Sequence, residues 1–468
     1  MICVGVFYLL AGGDALAETG KEPNPPAAAG WAAVDITPPL GVALGGRGSP
    51  FTLANKVIDP LQAQVLFVKD GKGAGFVLVS LDLIGLPHSL SERLRTAIVY
   101  ETGVDYNLVV LNCSHTHSGP YMGRDTTAGV APAPPIEVEY AQALTEKIVS
   151  ATRAAAKNLA PVKVEVFEGK SQVGINRRGK NKQGNRGIIP DQNGPIAVKV
   201  WALKLTPTDG SPPALVFSYG CHPVLVYGHA FAAISPDFPG VARAKLREKL
   251  GAGSHVQFVQ GLAGNVRPRV VADVANNRFR PSKPEDVQQA GTDLAKDVWA
   301  ALEAKGEMLQ LDFAGASDRP FVLRDKPPAR AVYEKMAKED NKYRQGVAAY
   351  WLARYDTGEG FAKGDPWPVG LIRLAENQWV CYLAGEPCVE WGPKVARWLA
   401  PRQVVLWGCS QETVTYLPTG ALLPEGGYEV EESNHARANS PAKFAPGIEE
   451  SIRQSLLRQT GFIEAKVR

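Results

Sequence analysis

Short apolar runs of strand length alternate along this chain with longer stretches whose apolar positions recur at helical spacing. Val65–Val68 and Phe76–Leu81 (FVLVSL) predict strands around a turn at Lys69–Gly75. Asn107–Asn112, Val162–Gly169, Ile196–Leu205, Ala214–Tyr219 and Val256–Val259 predict further strands, as do Leu371–Leu374, Val380–Leu383 and Val404–Leu406. Helical spacing covers Ser89–Tyr100, with Ser89 or Ser91 as a possible N-cap, then Val138–Asn158, Pro239–Lys249, Pro284–Ala304, Glu390–Leu399 and Gly447–Leu456. Ala329–Tyr355, just after Pro327-Pro328, predicts one polar, charged helix, and the basic, glycine-rich Asn176–Gln192 predicts an exposed loop. No repeat period emerges. Strands and helices mix throughout, so the expected class is α/β: mixed sheets flanked by helices in one large catalytic domain over residues 31–468.

The N-terminus breaks this pattern. Ile2–Ala11 is apolar, and Ala15-Leu16-Ala17 before Glu18 resembles an A-x-A cleavage site, so residues 1–17 predict an export signal and a periplasmic or extracellular protein. No Lys or Arg precedes the run, and a buried first strand or a membrane anchor are its other readings. Residues 18–30 predict a flexible tether. No later stretch is long and apolar enough for a transmembrane helix, so stable membrane insertion is not expected.

Composition adds limits. The chain has 468 residues, 45% hydrophobic and 21% charged, as in a soluble globular enzyme. A net charge of +4 is small for that length and gives no electrostatic case for nucleic acid. Nothing implies a protein partner; a small molecule, lipid or glycan is the expected substrate. Cys113 and Cys221, on apolar runs beside histidines, read as buried small hydrophobes. Cys381 and Cys388 are near enough in sequence to pair, which spacing leaves open.

Several predicted strands end in a turn that carries a reactive side chain. Asn107–Cys113 leads into His115-Thr116-His117-Ser118-Gly119-Pro120, which places two of the chain's seven histidines two positions apart, on one face of an extended segment. Ala214–His222 ends on His222 before Pro223, Val380–Glu386 ends on Glu386 before Pro387, and Val404–Tyr416 reaches Tyr416 shortly before Pro418. Val256–Gly264 leads into Asn265-Val266-Arg267-Pro268-Arg269. Sites in α/β proteins gather at strand ends. Each side chain singly has a structural reading too: a core histidine, a surface carboxylate, a packed phenol. Together they offer two imidazoles, a carboxylate and a phenol, a donor set that suits zinc with one position open.

In order and number, these segments resemble the neutral (alkaline, non-lysosomal) ceramidases, more closely their shorter bacterial relatives, from about Trp31 to Glu429. The resemblance rests on Ala33–Gly41 (AVDITPPLG), Asp59-Pro60-Leu61, Ser80–Leu86 (SLDLIGL), His115–Pro120 (HTHSGP), Ile175–Arg177 (INR), His222-Pro223, Asp237–Gly240 (DFPG), Gly264–Pro268, Gly385-Glu386 and Tyr416 with Gly427-Tyr428-Glu429. It implies one zinc ion held by His115, His222, Glu386 and Tyr416. It also implies a second active-site tyrosine at Tyr428, twelve residues after Tyr416, a proton carrier or outer-sphere group at His117, and Arg177 near the reacting carbonyl.

One departure changes the expected chemistry. The ceramidases read G-D-V-S-P-N, and that serine is essential to amide cleavage. Here Arg267 stands in its place and Asn265 replaces the aspartate. A permanently protonated guanidinium cannot be a nucleophile, but it can clamp a carboxylate or an oxyanion. The chain also stops near Arg468, so the resemblance implies the catalytic domain without the family's C-terminal immunoglobulin-like domain. The leading expectation is a secreted zinc-dependent hydrolase of N-acyl amides with a substrate of its own. A secreted carbohydrate-active hydrolase or lyase acting on an acidic saccharide is the first alternative, with Arg267 and Arg269 neutralising a uronate. A non-catalytic zinc- or ligand-binding protein is the second. A long apolar groove beside the metal favours the first, and a polar cleft lined with Arg and Trp, such as Trp367 or Trp391, favours the second.

Overall fold

The computed structural model describes residues 25–47, 52–124 and 127–467, so the predicted export signal lies outside the described residues. A strand already occupies Ala28–Asp35, which takes in the end of the expected tether. Its AAGWAAVD sequence carries little apolar contrast, and the strand is recognisable by its partners rather than its pattern: Gln62–Lys69 pairs along its whole length. It stands near the middle of a mixed nine-stranded sheet. The order is His255–Gln260, Ala214–Tyr219, Lys199–Pro207, Ala160–Lys170, Ala28–Asp35, Gln62–Lys69, Gly75–Leu81 and Val109–Cys113, with Glu307–Met308 beside Ala160–Lys170. A second, four-stranded sheet runs Ala314–Asp318, Val369–Arg373, Gln378–Leu383 and Gln403–Trp407. Helices Pro135–Lys157, Asp237–Leu250, Pro284–Glu303 and Ile448–Val467 flank the sheets, as the α/β expectation requires.

Most pairings are antiparallel, and three parallel ones matter most. Gly75–Leu81 runs parallel to Val109–Cys113 at one edge, and Ala214–Tyr219 runs parallel to His255–Gln260 at the other. Gln378–Leu383 runs parallel to Gln403–Trp407 in the second sheet. The two edges of the large sheet meet: the buried Asn112 side chain donates to the Gly408 carbonyl at 2.8 Å and accepts from the Gln260 amide at 2.8 Å. Gln260 in turn donates from its side chain to the carbonyls of Ser114 and Cys221 at 2.8 and 3.0 Å. Buried amides must be satisfied, and here each partner belongs to a different strand end. This network therefore fixes the carboxyl ends of all three parallel pairs in one place.

Several local expectations are corrected. The helix His88–Thr102 starts after Pro87 with no side-chain cap, so Ser89 and Ser91 lie within its first turn. Proline there presets the backbone for helix entry. The single helix expected over Ala329–Tyr355 is two, Arg330–Met336 and Lys342–Thr357. The break is set by Asn341, whose side chain accepts from the Arg344 amide as an N-cap. The basic segment Asn176–Gln192 is exposed over 180–185 but buried where it begins, at Arg177 and Arg178. Cys381 and Cys388 are both free and buried, as are Cys113 and Cys221. Among the described residues no helix is long and apolar enough to cross a membrane.

A buried titratable group in the large sheet gives stability a pH dependence. His255 is enclosed against Trp31, bonded to Gln257 at 3.1 Å, and burial drives its pKa from 6.5 to about 4. The folded state thus keeps it neutral where the unfolded chain would protonate it, so its contribution is present above 6.5 and is lost as pH falls toward about 4. Denaturant midpoints measured between those limits should fall more steeply with acidification in the native protein than in His255→Phe. Parallel slopes would refute this assignment.

Candidate metal centre

His115 follows the strand Val109–Cys113 and adopts a left-handed backbone, φ 64°, uncommon for a residue with a side chain. That turn lets its amide reach the Leu83 carbonyl at 3.0 Å while the ring points inward. His222 follows Ala214–Tyr219, its amide on the Val266 carbonyl at 3.1 Å. Glu386 and Tyr416 are register partners on a short parallel ladder, Glu386–Pro387 against Tyr416–Leu417. Gly385, at φ 71°, turns the chain immediately before Glu386, where a Cβ would meet the Thr415 carbonyl at 2.4 Å and the Trp367 ring at 2.6 Å. Thus each of the four residues predicted to converge is set by the C-terminal end of a strand or by the ladder that follows it.

They do converge. One carboxylate oxygen of Glu386 lies 3.1 Å from His115 Nε2 and 3.0 Å from His222 Nε2. The Tyr416 hydroxyl is 3.4 Å from His222 Nε2. His117 also belongs to the group, its Nε2 3.4 Å from that of His115. The ligand nitrogens of His115, His117 and His222 all lie within 4.8 Å of one another.

The opposite ring nitrogens fix what these atoms offer. His115 Nδ1 sits 2.6 Å from the Ile84 carbonyl, His117 Nδ1 3.0 Å from that of Gly46, and His222 Nδ1 2.7 Å from that of Ala263. A carbonyl only accepts, so each Nδ1 carries a proton, and in the neutral ring each Nε2 presents a lone pair inward. His117 and His222 thus turn free lone pairs inward, His115 Nε2 faces the Glu386 carboxylate at 3.1 Å, and the Tyr416 phenol stands beside them; a divalent cation would take the place of the His115 proton. This donor set fits a divalent ion of the zinc type.

Protonation follows the same logic. Burial drives the His222 pKa down to about 3, assisted by the Arg177 charge. Burial and its two imidazole neighbours hold His117 well below the usual histidine range. For His115, burial acts downward but the Glu386 carboxylate outweighs it, and the pKa is raised. Burial would raise Glu386, yet the His115 charge holds it well below the carboxylate range. Burial pushes Tyr416 well up and Tyr428 to about 12. Tyr428 is therefore a protonated donor at neutral pH.

Arg177 completes this side. It is buried, bonded through Nε to Glu429 at 2.8 Å, with its guanidinium carbon 5.2 Å from the Tyr416 ring centre and 5.9 Å from that of Tyr428. Glu429 also accepts from Arg178 at 2.8 Å, so one carboxylate serves two buried cations. Arg267 follows Val266, whose carbonyl contacts His222, and stacks 4.8 Å over the Phe279 ring. Asn265 has a structural role: its amide nitrogen donates to both oxygens of Glu390 at 3.0 Å, and its oxygen accepts from the Val389 amide at 2.9 Å. An aspartate in that position would face the Glu390 carboxylate with like charge, which accounts for asparagine here.

Two adjacent cavities lie on one side of the centre. A cavity of ≈ 220 Å³ is bordered by His115 and Glu386 together with Tyr121, Met122, Tyr343 and Arg437. It shares Pro87, Tyr121, Met122 and Thr127 with a larger groove of ≈ 660 Å³, walled by Leu90, Val130, Pro132, Ala133, Val138 and Ala141 among others. The groove is largely apolar. Trp367 and Trp391 border neither cavity. Both are fully buried, their indole N–H groups donating to the Ala384 and Leu417 carbonyls at 3.2 and 2.9 Å, so the Trp-lined polar cleft that would favour an acidic saccharide is not formed by them.

Sequence reasoning missed Gly46, Arg47 and Tyr227. Tyr227 stands 6.1 Å from the His117 ring, and Arg47 lies 5.4 Å from the Tyr227 ring. The available signal was Gly45-Gly46-Arg47. A Cβ on Gly46, at φ 71°, would meet His117 Nδ1 at 2.3 Å, so glycine is required where the backbone passes the imidazole.

No protein-family model and no curated protein matches the sequence. The fold is similar to solved structures. The crystal structure of neutral ceramidase from Pseudomonas aeruginosa aligns with a TM-score of 0.70 at 16% identity, covering 94% of this chain and 75% of that one. A ceramidase complexed with C2 aligns with a TM-score of 0.72 at 16% identity, covering 94% and 76%. At this identity the shared property is the fold, a mixed α/β architecture with one large sheet and flanking helices.

Proposed function

We propose that this chain is a metal-dependent hydrolase of N-acyl amides, with His115, His222, Glu386 and Tyr416 holding one zinc ion. The apolar groove that opens from the His115–Glu386 side carries the reading, because it suits a hydrocarbon acyl chain ending at the metal point. The likeness to the ceramidase fold agrees with it. A bound divalent ion supplies Lewis acidity and makes nearby water more acidic. The residues do the rest. Tyr428, protonated at neutral pH, donates toward the developing oxyanion. Arg177, locked by Glu429, places a fixed positive charge beside both tyrosines. His117 is held neutral with Nε2 inward and retains partial solvent access, so its lone pair can accept a hydrogen bond from the attacking water and orient it. Export remains part of this proposal, on the N-terminal pattern alone.

The groove reading is tested by narrowing it. Ala141→Trp fills the wall of the larger cavity. Each buried methylene is worth ~0.8 kcal/mol, so excluding three or four should lower kcat/KM for N-dodecanoyl substrates roughly 100-fold relative to N-acetyl ones. Equal losses for short and long acyl groups would show that the chain binds elsewhere.

A further inference from the structure

Counting charges around the metal point leaves two cations over. Arg177 and Arg178 share Glu429, and Arg178 also reaches Glu425 at 3.3 Å. Arg437, beside the smaller cavity, pairs with Asp365 at 3.2 Å. Among the described residues, Arg47 and Arg267 have no carboxylate partner. Arg47 is 7% exposed, its Nε and Nη1 are buried without any hydrogen bond, and Nη2 makes only long contacts, 3.2 Å to Ser118 Oγ and 3.4 Å to the Ala233 carbonyl. Arg267 makes no side-chain hydrogen bond among the described residues, and its Nε is buried and unsatisfied. An enclosed guanidinium such as that of Arg47, without a counter-charge, is strongly unfavourable unless something binds it, and Arg267 is half-buried with its Nε enclosed.

Their placement says what that something must be near. Arg47 bonds Ser118, the residue after His117, and flanks Tyr227 and Phe231, with guanidinium-to-ring distances of 5.4 and 4.9 Å. Arg267 is one residue from the carbonyl that contacts the His222 ring. Neither arginine, nor Tyr227, nor His117, borders the two cavities that open on the His115–Glu386 side. The two arginines therefore stand near the metal point but outside the apolar groove and the smaller cavity. An amide whose acyl chain lies in the groove and whose carbonyl sits at the centre would direct its amine half toward the arginines.

We propose that Arg47 and Arg267 receive an anionic group on the amine half of the substrate, so that the amide cleaved is an N-acyl amino acid or an equivalent N-acyl amino sulfonate rather than one with a neutral amino alcohol. This deepens the hydrolase reading and rests on it for the reaction, though not for the binding. A guanidinium fork matches the paired oxygens of a carboxylate or sulfonate. Burial lowers both pKa values to about 10, so both side chains stay charged at neutral pH. The inference also gives a purpose to arginine at the position where the resemblance places a serine. Hydrolysis is ordinary: water's oxygen joins the acyl carbon, the C–N bond breaks, and the proton goes to the amine, which leaves as a free amino acid.

The test uses the full-length, zinc-loaded protein. Turnover is compared for N-dodecanoylglycine, N-dodecanoyltaurine, N-dodecanoylethanolamine and a ceramide. Binding is measured separately by calorimetry with two non-hydrolysable sulfonamides, N-(dodecylsulfonyl)glycine and N-(dodecylsulfonyl)ethanolamine. The expected result is a preference for the anionic member of each set of roughly 10- to 100-fold per arginine engaged, the worth of a hydrogen bond to a charged group. Arg47→Gln and Arg267→Gln should each reduce that ratio by a similar factor, through KM rather than kcat, and Arg267→Lys should restore part of it. Glycine and taurine substrates separate carboxylate from sulfonate as the anion. Preferential anion binding without turnover of any amide would uphold the receptor and overturn the hydrolase reading. Turnover or binding that ignores the anion, or a ratio unmoved by either glutamine variant, would overturn the receptor.

Discussion

Changing either His115 or His222 to alanine is expected to remove bound metal and activity together. Each ring supplies an inward Nε2 fixed by a backbone carbonyl behind it, and each sits about 3 Å from the same Glu386 oxygen, at 3.1 and 3.0 Å. Loss of even an outer-sphere partner costs a metal site 10- to ~100-fold, so loss of a direct ligand should exceed that in affinity and in kcat/KM. Metal per chain, read by elemental analysis after gel filtration, should drop from near one to background in both variants. The same proteins should retain native circular dichroism, because His115 and His222 pack at the ends of strands whose cores are apolar. Full metal retention in the double variant would refute the ligand assignment.

The second large effect is structural. Glu429→Gln should destabilise the fold by ~3–5 kcal/mol, the cost of leaving buried charge unpaired. Glu429 is 2% exposed and is the carboxylate that both Arg177 and Arg178 meet at 2.8 Å. Removing its charge strands Arg177 wholly and leaves Arg178 only the half-open Glu425. Contrast Lys245 and Glu248, an exposed pair at 3.1 Å on one helix, where Glu248→Gln should change stability by no more than ~0.5 kcal/mol. Urea denaturation midpoints at constant m-value decide it. Similar small shifts in both variants would mean that the buried cluster is solvated.

What could be read from the chain follows from where the signal resides. The strands Gly75–Leu81, Ala214–Tyr219 and Gln378–Leu383 are wholly buried apolar runs, and their sequences announce them. Ala28–Asp35 escaped because its burial is partial and half of its residues are alanine. The four expected metal-site residues were recognisable because each ends an apolar run and precedes a turn, and their meeting was expected. The means of it was not, since it depends on Asn112 and Gln260, ordinary buried amides whose partners lie far away in the chain. His117 was expected beside the donor group, and its Nε2 lies 3.4 Å from that of His115; what the sequence did not show is Gly46, a backbone acceptor without a side chain, which orients it. The segment carrying Arg177 and Arg178 read as an exposed loop, although the resemblance placed Arg177 in the site, because their common partner, Glu429, is 252 and 251 residues away along the chain.

The account stands on one ion among these donors. Crystals of the zinc-loaded protein, measured on both sides of the zinc absorption edge, test it directly. The prediction is a single anomalous peak at bonding distance, ~2.0–2.2 Å, from Nε2 of His115 and His222, a carboxylate oxygen of Glu386 and the Tyr416 hydroxyl. His117 should remain outside that bonding distance. A peak bound by the three histidines without Tyr416, or no peak within reach of Glu386, would contradict it.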